Sequence, residues 1–224
     1  MSWLSIENLE YQSIDKEFKL KLNNLSFHEN TSLIYGSNGI GKTTFFKLIL
    51  NNLKSKKGSL LLSKQIKTIV HIDQELSLID FLTVKENCKL QVSLKGNLNN
   101  KNEFEKQFNY FIESLNLNTH QHKTINKLSM GQAQRALILK SLMVRPDLIL
   151  ADEPTSFQDP IMKQKVIELL LSYCKDNNAK LIMISHDHDI KSRFDTIVNF
   201  DHLLSDNIEY THNATNINKT AVAI

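Results

Sequence analysis

The residues best suited to chemistry form one unbroken run, Gly36-Ser37-Asn38-Gly39-Ile40-Gly41-Lys42-Thr43. Glycines at these places let successive backbone N–H groups turn inward without a Cβ clash, and such a nest binds the oxygens of a phosphate. The complete G-x-x-x-x-G-K-T spacing sends Lys42 toward the β- and γ-phosphates of ATP and gives the Thr43 hydroxyl to Mg²⁺. Ser37, Asn38, Ile40 and Thr44 complete the loop and the first turn of a helix whose free N–H groups face the same anion. A glycine-rich turn that binds nothing is the competing reading. The strand expected before this run and the helix expected after it disfavour that reading.

A second group of acids stands at the end of an apolar run, Leu148-Ile149-Leu150-Ala151-Asp152-Glu153. Adjacent strand residues point to opposite faces, and the end of the strand frees the second acid to turn toward a phosphate. Asp152 is expected to hold Mg²⁺, directly or through water. Glu153 is expected to act as general base or to orient the attacking water; the alternative is a residue that only caps the turn before Pro154. His186 follows a second apolar run, Leu181-Ile182-Met183-Ile184, and can donate a hydrogen bond to the γ-phosphate while helping to place the water. His188 and Asp189 beside it invite a metal reading, which a magnesium–nucleotide site makes unnecessary. His120 and His122 read as solvent-facing.

Such groups need rigid strands to present them. Residues 3–27 alternate apolar and polar, which predicts two or three antiparallel strands turning at Asn23-Asn24. Thr31 to Tyr35 reads as a buried strand, Lys42 to about Leu53 as a helix, and Leu60–Leu62 and Lys67–Ile72 as further strands. From Val84 to about Asn118 the chain turns polar and lysine-rich, and Phe104, Phe108, Phe111, Ile112 and Leu115 recur at helical spacing. Helices are expected over 131–143 and 161–173, and strands over 148–151, 180–184 and 196–200. The pattern is α/β: a three-layer P-loop NTPase core with an N-terminal antiparallel β-subdomain and an inserted helical subdomain. The implied boundaries are 1–30 for the antiparallel region, 31–83 and 136–206 for the core, 84–135 for the helical insert and 207–224 for a weakly structured tail, all within one domain of residues 1–224. The ligand belongs beyond the carboxyl ends of the core strands. The asparagine run at 97–100 reads as loop material.

Composition narrows the function classes. With 224 residues, 41% hydrophobic and 23% charged, the chain can bury a sizeable core. The formal charge of +3 comes mostly from lysine, with Arg135, Arg145 and Arg193 the only arginines. That is too mild to imply a nucleic-acid partner. Cys88 and Cys174 lie far apart and suggest neither disulfide nor zinc site, which points to a reducing cytoplasm. No signal-peptide pattern opens the chain, and no apolar run reaches the roughly 18 to 20 residues that span a bilayer. A role at a membrane would require a separate membrane subunit.

Leu128-Ser129-Met130-Gly131-Gln132, followed by Ala133-Gln134-Arg135, extends the argument. Together with the loop and Asp152-Glu153, this stretch resembles the signature of ATP-binding-cassette (ABC) ATPases, usually written LSGGQ. The resemblance runs from the N-terminal strands to about residue 200. It implies a head-to-tail dimer, a homodimer or a pairing with a related ABC subunit, in which Ser129 and the Gly131 N–H, with Gln132, contact the γ-phosphate bound by the other subunit. It also implies that Gln74 is the loop glutamine that senses Mg²⁺, that Leu82–Asn87 is the segment usually written TVxEN, and that Thr155–Asp159 is the D-loop, with Asp159 reaching toward the partner. Tyr11 then stands as the aromatic that stacks on adenine. This sequence departs from the pattern at three places. Met130 replaces the first signature glycine, Phe157-Gln158 replaces a common Ala-Leu pair, and the segment from Gly58 to Gln74 is short. The implied function is the ATP-hydrolysing subunit of a membrane transporter, peripheral on the cytoplasmic face of the inner or plasma membrane and docked on a polytopic partner. Ala151–Thr155 resembles exporters of the lipoprotein-releasing and macrolide type, so the reading leans slightly toward export; the short segment from Gly58 to Gln74 counts against that link, and direction and cargo stay open. The alternative is a soluble cassette ATPase working on a nucleic-acid or ribosomal assembly. One phosphate loop, one signature and the lack of a basic stripe disfavour it, and no direct nucleic-acid contact is expected.

Overall fold

A computed structural model describes residues 2–95 and 101–205. The asparagine run at 97–100 and the tail at 207–224 therefore lie outside the described residues. Alternating apolar residues build two long antiparallel strands, β1 (Leu4–Gln12) and β2 (Lys19–Phe27), paired from Leu4↔Phe27 to Gln12↔Lys19. The chain reverses between Ser13 and Phe18, where Ser13 N donates to Phe18 O at 2.9 Å. The turn expected at Asn23-Asn24 is absent: both asparagines lie inside β2. Asparagine there accompanies a strand irregularity, since Asn8 takes a left-handed φ of 47° where the β1 register slips.

A third strand, β4 (Lys57–Leu62), pairs antiparallel with β1 and gives the sheet order β2-β1-β4. Although expected within the 31–83 core, it therefore belongs to the antiparallel sheet. Gly58 makes the pairing possible. At φ 80°, a Cβ there would stand 2.2 Å from the carbonyl oxygen of Asn8.

The second sheet is parallel throughout. It contains β3 (Thr31–Tyr35), β5 (Ile69–Ile72), β6 (Leu148–Asp152), β7 (Lys180–Ile184) and β8 (Thr196–Asn199), in the order β5-β6-β7-β3-β8. Its central strands are apolar on both faces, as a covered parallel sheet requires. Leu148 and Leu150 pack with Phe45 and Phe46 of α1 (Lys42–Ile49) and with the antiparallel strands. Ile149 and Ala151 point the other way, into a core shared with α4 (Met130–Leu142) and α5 (Pro160–Asn177). The result is three layers: helices, parallel sheet, then α1 with the smaller sheet.

α1 stops at Ile49, short of the Leu53 expected, because Asn51 turns left-handed at φ 58° and Asn52 N folds back to Lys47 O. α5 runs longer than expected, to Asn177. Asp159 caps its start, and the left-handed Asn178 ends it.

The insert holds α2 (Val84–Leu94) and α3 (Lys101–Ser114), followed by two short 3₁₀ turns at Asn118–His120 and Ile125–Lys127. Phe104, Phe108, Phe111 and Ile112 form the buried stripe of α3. α2 and α3 both pack on α4. Because α4 runs unbroken through residue 135, one continuous helix joins the insert to the core. A last helix, α6 (Phe200–Ser205), follows β8. Among the described residues no helix is long and apolar enough to cross a membrane.

Candidate functional site

The carboxyl ends of β3, β5, β6 and β7 open along one edge of the parallel sheet, and each strand delivers one part of the site. After β3 the chain enters the glycine loop. Gly41 sits at φ 109° as the N-cap of α1, with no side-chain cap of its own. A Cβ there would come within 2.8 Å of the Phe18 ring, so only glycine lets the loop close on β2. Lys42 is buried, and its ammonium donates to the carbonyls of Gly36 at 2.6 Å and Ser37 at 2.9 Å. Burial lowers the Lys42 pKa, and the carboxylates of Glu153, Asp152 and Asp201 pull it back up. Ser37 N–H donates to both oxygens of Asp201 on α6, at 3.1 Å each. Ile40 points its side chain into the core, leaving only backbone to face a ligand.

β6 brings Asp152, almost fully buried, to the Thr43 hydroxyl, which donates to its Oδ2 at 2.6 Å. A hydroxyl and a carboxylate with Gln74 nearby make a hard-oxygen donor set of the kind that suits Mg²⁺. Burial raises the Asp152 pKa, and the Thr43 hydrogen bond offsets part of that rise. The register pairs His71 with Leu150, which places His71 and Asp73 on the same face as Asp152. Ligand atoms of these three lie within 4.8 Å of one another. Burial lowers the His71 pKa, and the carboxylates of Asp73 and Asp152 oppose that shift.

Glu153 follows in a left-handed conformation, φ 48°, with its N–H on Ile184 O at 3.0 Å. That twist separates the two acids. Its Oε1 accepts the His186 backbone N–H at 2.8 Å, and the His186 ring Nε2 stands 3.8 Å away. Burial raises the Glu153 pKa, with His186 opposing the rise. Glu153 also takes part in the turn before Pro154, through its carbonyl: Ser156 Oγ donates to that carbonyl at 2.8 Å, leaving the carboxylate free for His186. A Lys163–Asp187 ion pair at 2.5 Å ties the His186 segment to α5. His188 lies edge-on to Tyr35 instead of joining His186.

One cavity of about 310 Å³ gathers Asn38, Gly39, Gly41, Lys42, Thr43, Thr44, Gln74, Asp152, Glu153 and His186. Tyr11 is not on its wall. It sits on β1 with its ring 6.5 Å from Phe18, and Phe18 is the aromatic that lines the cavity. Ser129, Gly131, Gln132 and Asp159 stand outside it as well. Ser129 caps α4 reciprocally with Gln132 at 3.1 and 3.3 Å, and Asp159 Oδ1 accepts from Ile161 N and Met162 N at 3.0 Å. Sequence reasoning missed Phe18, His71, Asp73 and Asp201. Their positions at the site come from strand register and from contacts distant in sequence, and no local spacing marks them.

The fold and this assembly of loop, paired acids and histidine define a P-loop ATPase. A family model described as ABC transporter matches residues 20–156. The chain is 33% identical over 184 residues to a zinc import ATP-binding protein of Rickettsia conorii, across 80% of this chain and 76% of that one. It is 29% identical over 192 residues to a lipoprotein-releasing system ATP-binding protein of Rickettsia bellii, across 80% and 85% of the two chains. A solved ATP-binding cassette, dimeric and bound to ADP and phosphate after hydrolysis, shares the fold with a TM-score of 0.74 at 22% identity, over 88% of this chain and 93% of that one. This chain belongs to the ABC transporter family, as an ATP-hydrolysing nucleotide-binding subunit.

Proposed function

We propose that the chain binds Mg-ATP in the 310 Å³ cavity and hydrolyses it across a head-to-tail dimer, working from the cytoplasmic face on a separate polytopic membrane subunit. One observation carries this reading. The cavity holds the phosphate loop, both acids and His186, but neither Ser129 nor Gly131, while Met130 beside them is 53% exposed at the free end of α4. A helix N-terminus that lies outside its own chain's cavity can offer its N–H groups to a second subunit's phosphates.

The residues divide the work. Lys42 would exchange its two carbonyl partners for β- and γ-phosphate oxygens. Thr43, Asp152 and Gln74 would hold Mg²⁺, whose charge neutralises the phosphate oxygens. Glu153, raised in pKa by burial, is a base held beside His186, and the pair would orient the attacking water. Phe18 against Gly41, with Tyr11 behind it, would form the platform for adenine. Calorimetry on Phe18→Ala and Tyr11→Ala separates the two. Loss of affinity only in Tyr11→Ala would remove Phe18 from the platform.

The relatives include one named for import and one named for release. Their names share no one direction, so the lean toward export rests on Ala151–Thr155 alone. The Gln74 segment, with Phe81 strongly exposed beside it, and the helical insert would receive that subunit. The test uses Glu153→Gln protein saturated with Mg-ATP, measured by light scattering. A dimer is expected, and a monomer would overturn the reading. Pull-down of the same variant from detergent-solubilised membranes should bring a polytopic protein; stable capture of ribosomes or nucleic acid would favour the soluble alternative.

A further inference from the structure

The departure at Phe157-Gln158 has a structural counterpart inside the subunit. Gln158 Nε2 donates to the carbonyl of Gly131 at 2.9 Å, and its Oε1 accepts from Arg135 Nη1 at 2.5 Å. The two segments touch so closely that a Cβ on Gly131 would lie 2.5 Å from the Phe157 carbonyl oxygen. Gln158 is itself fixed by its N–H to Thr155 O at 3.1 Å, in the turn that follows Glu153. Arg135 is half-buried, the carboxylate of Asp159 acts on its charge, and its Nε is buried without a partner. The bond to Gln158 is therefore a costly one for Arg135 to lose. One amide thus clasps the first turn of α4 to the segment leading out of the acid pair. A leucine there could make neither bond.

We propose that Gln158 is a positioning residue that holds the Ser129–Gly131 end of α4 in register with the Thr155–Asp159 segment, so that the end of α4 serving the partner's nucleotide moves together with the subunit's own Glu153. The proposal rests on the dimeric reading above. Gln158 does not line the cavity and bonds instead to Gly131 and Arg135, so its loss should spare nucleotide binding to the single subunit and weaken only the closure of two.

The test places Gln158→Leu and Gln158→Glu in the Glu153→Gln background. Glutamate keeps the acceptor for Arg135 and removes the donor to Gly131, so it separates the two bonds. Calorimetry at low protein concentration should give Mg-ATP affinity within twofold of the parent for both variants. Sedimentation should show that both need at least tenfold more ATP for half-maximal dimer. Dimerisation of Gln158→Leu at the parent's ATP concentration would overturn the proposal. So would a parallel loss of ATP affinity and thermal stability in both variants, which would reduce the clasp to folding alone. If the Glu153→Gln parent itself stays monomeric at saturating Mg-ATP, the dimeric reading fails, and this proposal with it.

Discussion

Lys42 and Asp152 are buried and Glu153 partly so, all lining one cavity, and each has its charged state disfavoured by burial. Replacing Lys42 by alanine removes the loop's ammonium, the group proposed to reach the γ-phosphate. Calorimetry should then show at least a tenfold loss of Mg-ATP affinity, and unchanged binding would dismiss the assignment. Glu153→Gln should retain binding and lower turnover by a factor of about 10² to 10⁴, the range for a general base. The raised Glu153 pKa also fixes two pH effects. The acid limb of turnover should lie above the ordinary glutamate value of 4.5, because the base must be ionised. For folding, the native state binds the proton more tightly than the unfolded chain. The associated stability is complete below 4.5 and is lost as pH rises through the raised native value. Glu153→Gln, with no charge to desolvate, should therefore melt at a higher temperature than wild type at neutral pH without nucleotide. An unchanged or lower melting temperature would contradict that sign.

Elements were legible where their signal is local. The glycine loop, the apolar run into Asp152-Glu153 and the three- and four-residue steps of α3 each declare themselves within about a dozen residues. What failed depends on pairing. Asn23-Asn24 carries turn chemistry but lies opposite the Asn8 irregularity, and β4 joins β1 across a long sequence gap. Phe18 outranks Tyr11 at the cavity wall because the β1–β2 register and the absent Cβ of Gly41 bring it there. Gln158 stands out in the sequence as a departure in the D-loop, but its two side-chain partners, Arg135 and Gly131, lie 23 and 27 residues away. At this scale two substitutions discriminate. Phe108→Ala should cost about 3–5 kcal/mol in denaturant unfolding, since its ring is fully buried. Gly58→Ala should destabilise by at least about 1 kcal/mol, from the left-handed backbone and the clash with Asn8. A loss of under half a kcal/mol at Gly58 would mean that the β1–β4 edge yields easily.

The whole molecule divides its labour between two edges. One edge of the parallel sheet presents the phosphate loop and its acids, and the start of α4 presents the exposed Ser129 with the half-exposed Met130 and Phe157. Apolar side chains at that place suit a surface that is covered for part of a working cycle. The capping pair Ser129–Gln132 satisfies donors at this end of the helix. Ser129→Ala should cost about 1 kcal/mol of stability. It should also weaken ATP-driven pairing more than ATP binding, a difference that sedimentation and calorimetry together would reveal.

The two-faced strand β6 has a last consequence. Leu148 and Leu150 are anchored on one side of the sheet and Ile149 and Ala151 on the other, and the strand ends in the acid pair. Loosening either core should shift the same short segment, so melting on either face of the sheet should cost activity. On heating, the loss of ATP turnover and the loss of near-ultraviolet dichroism should trace one curve.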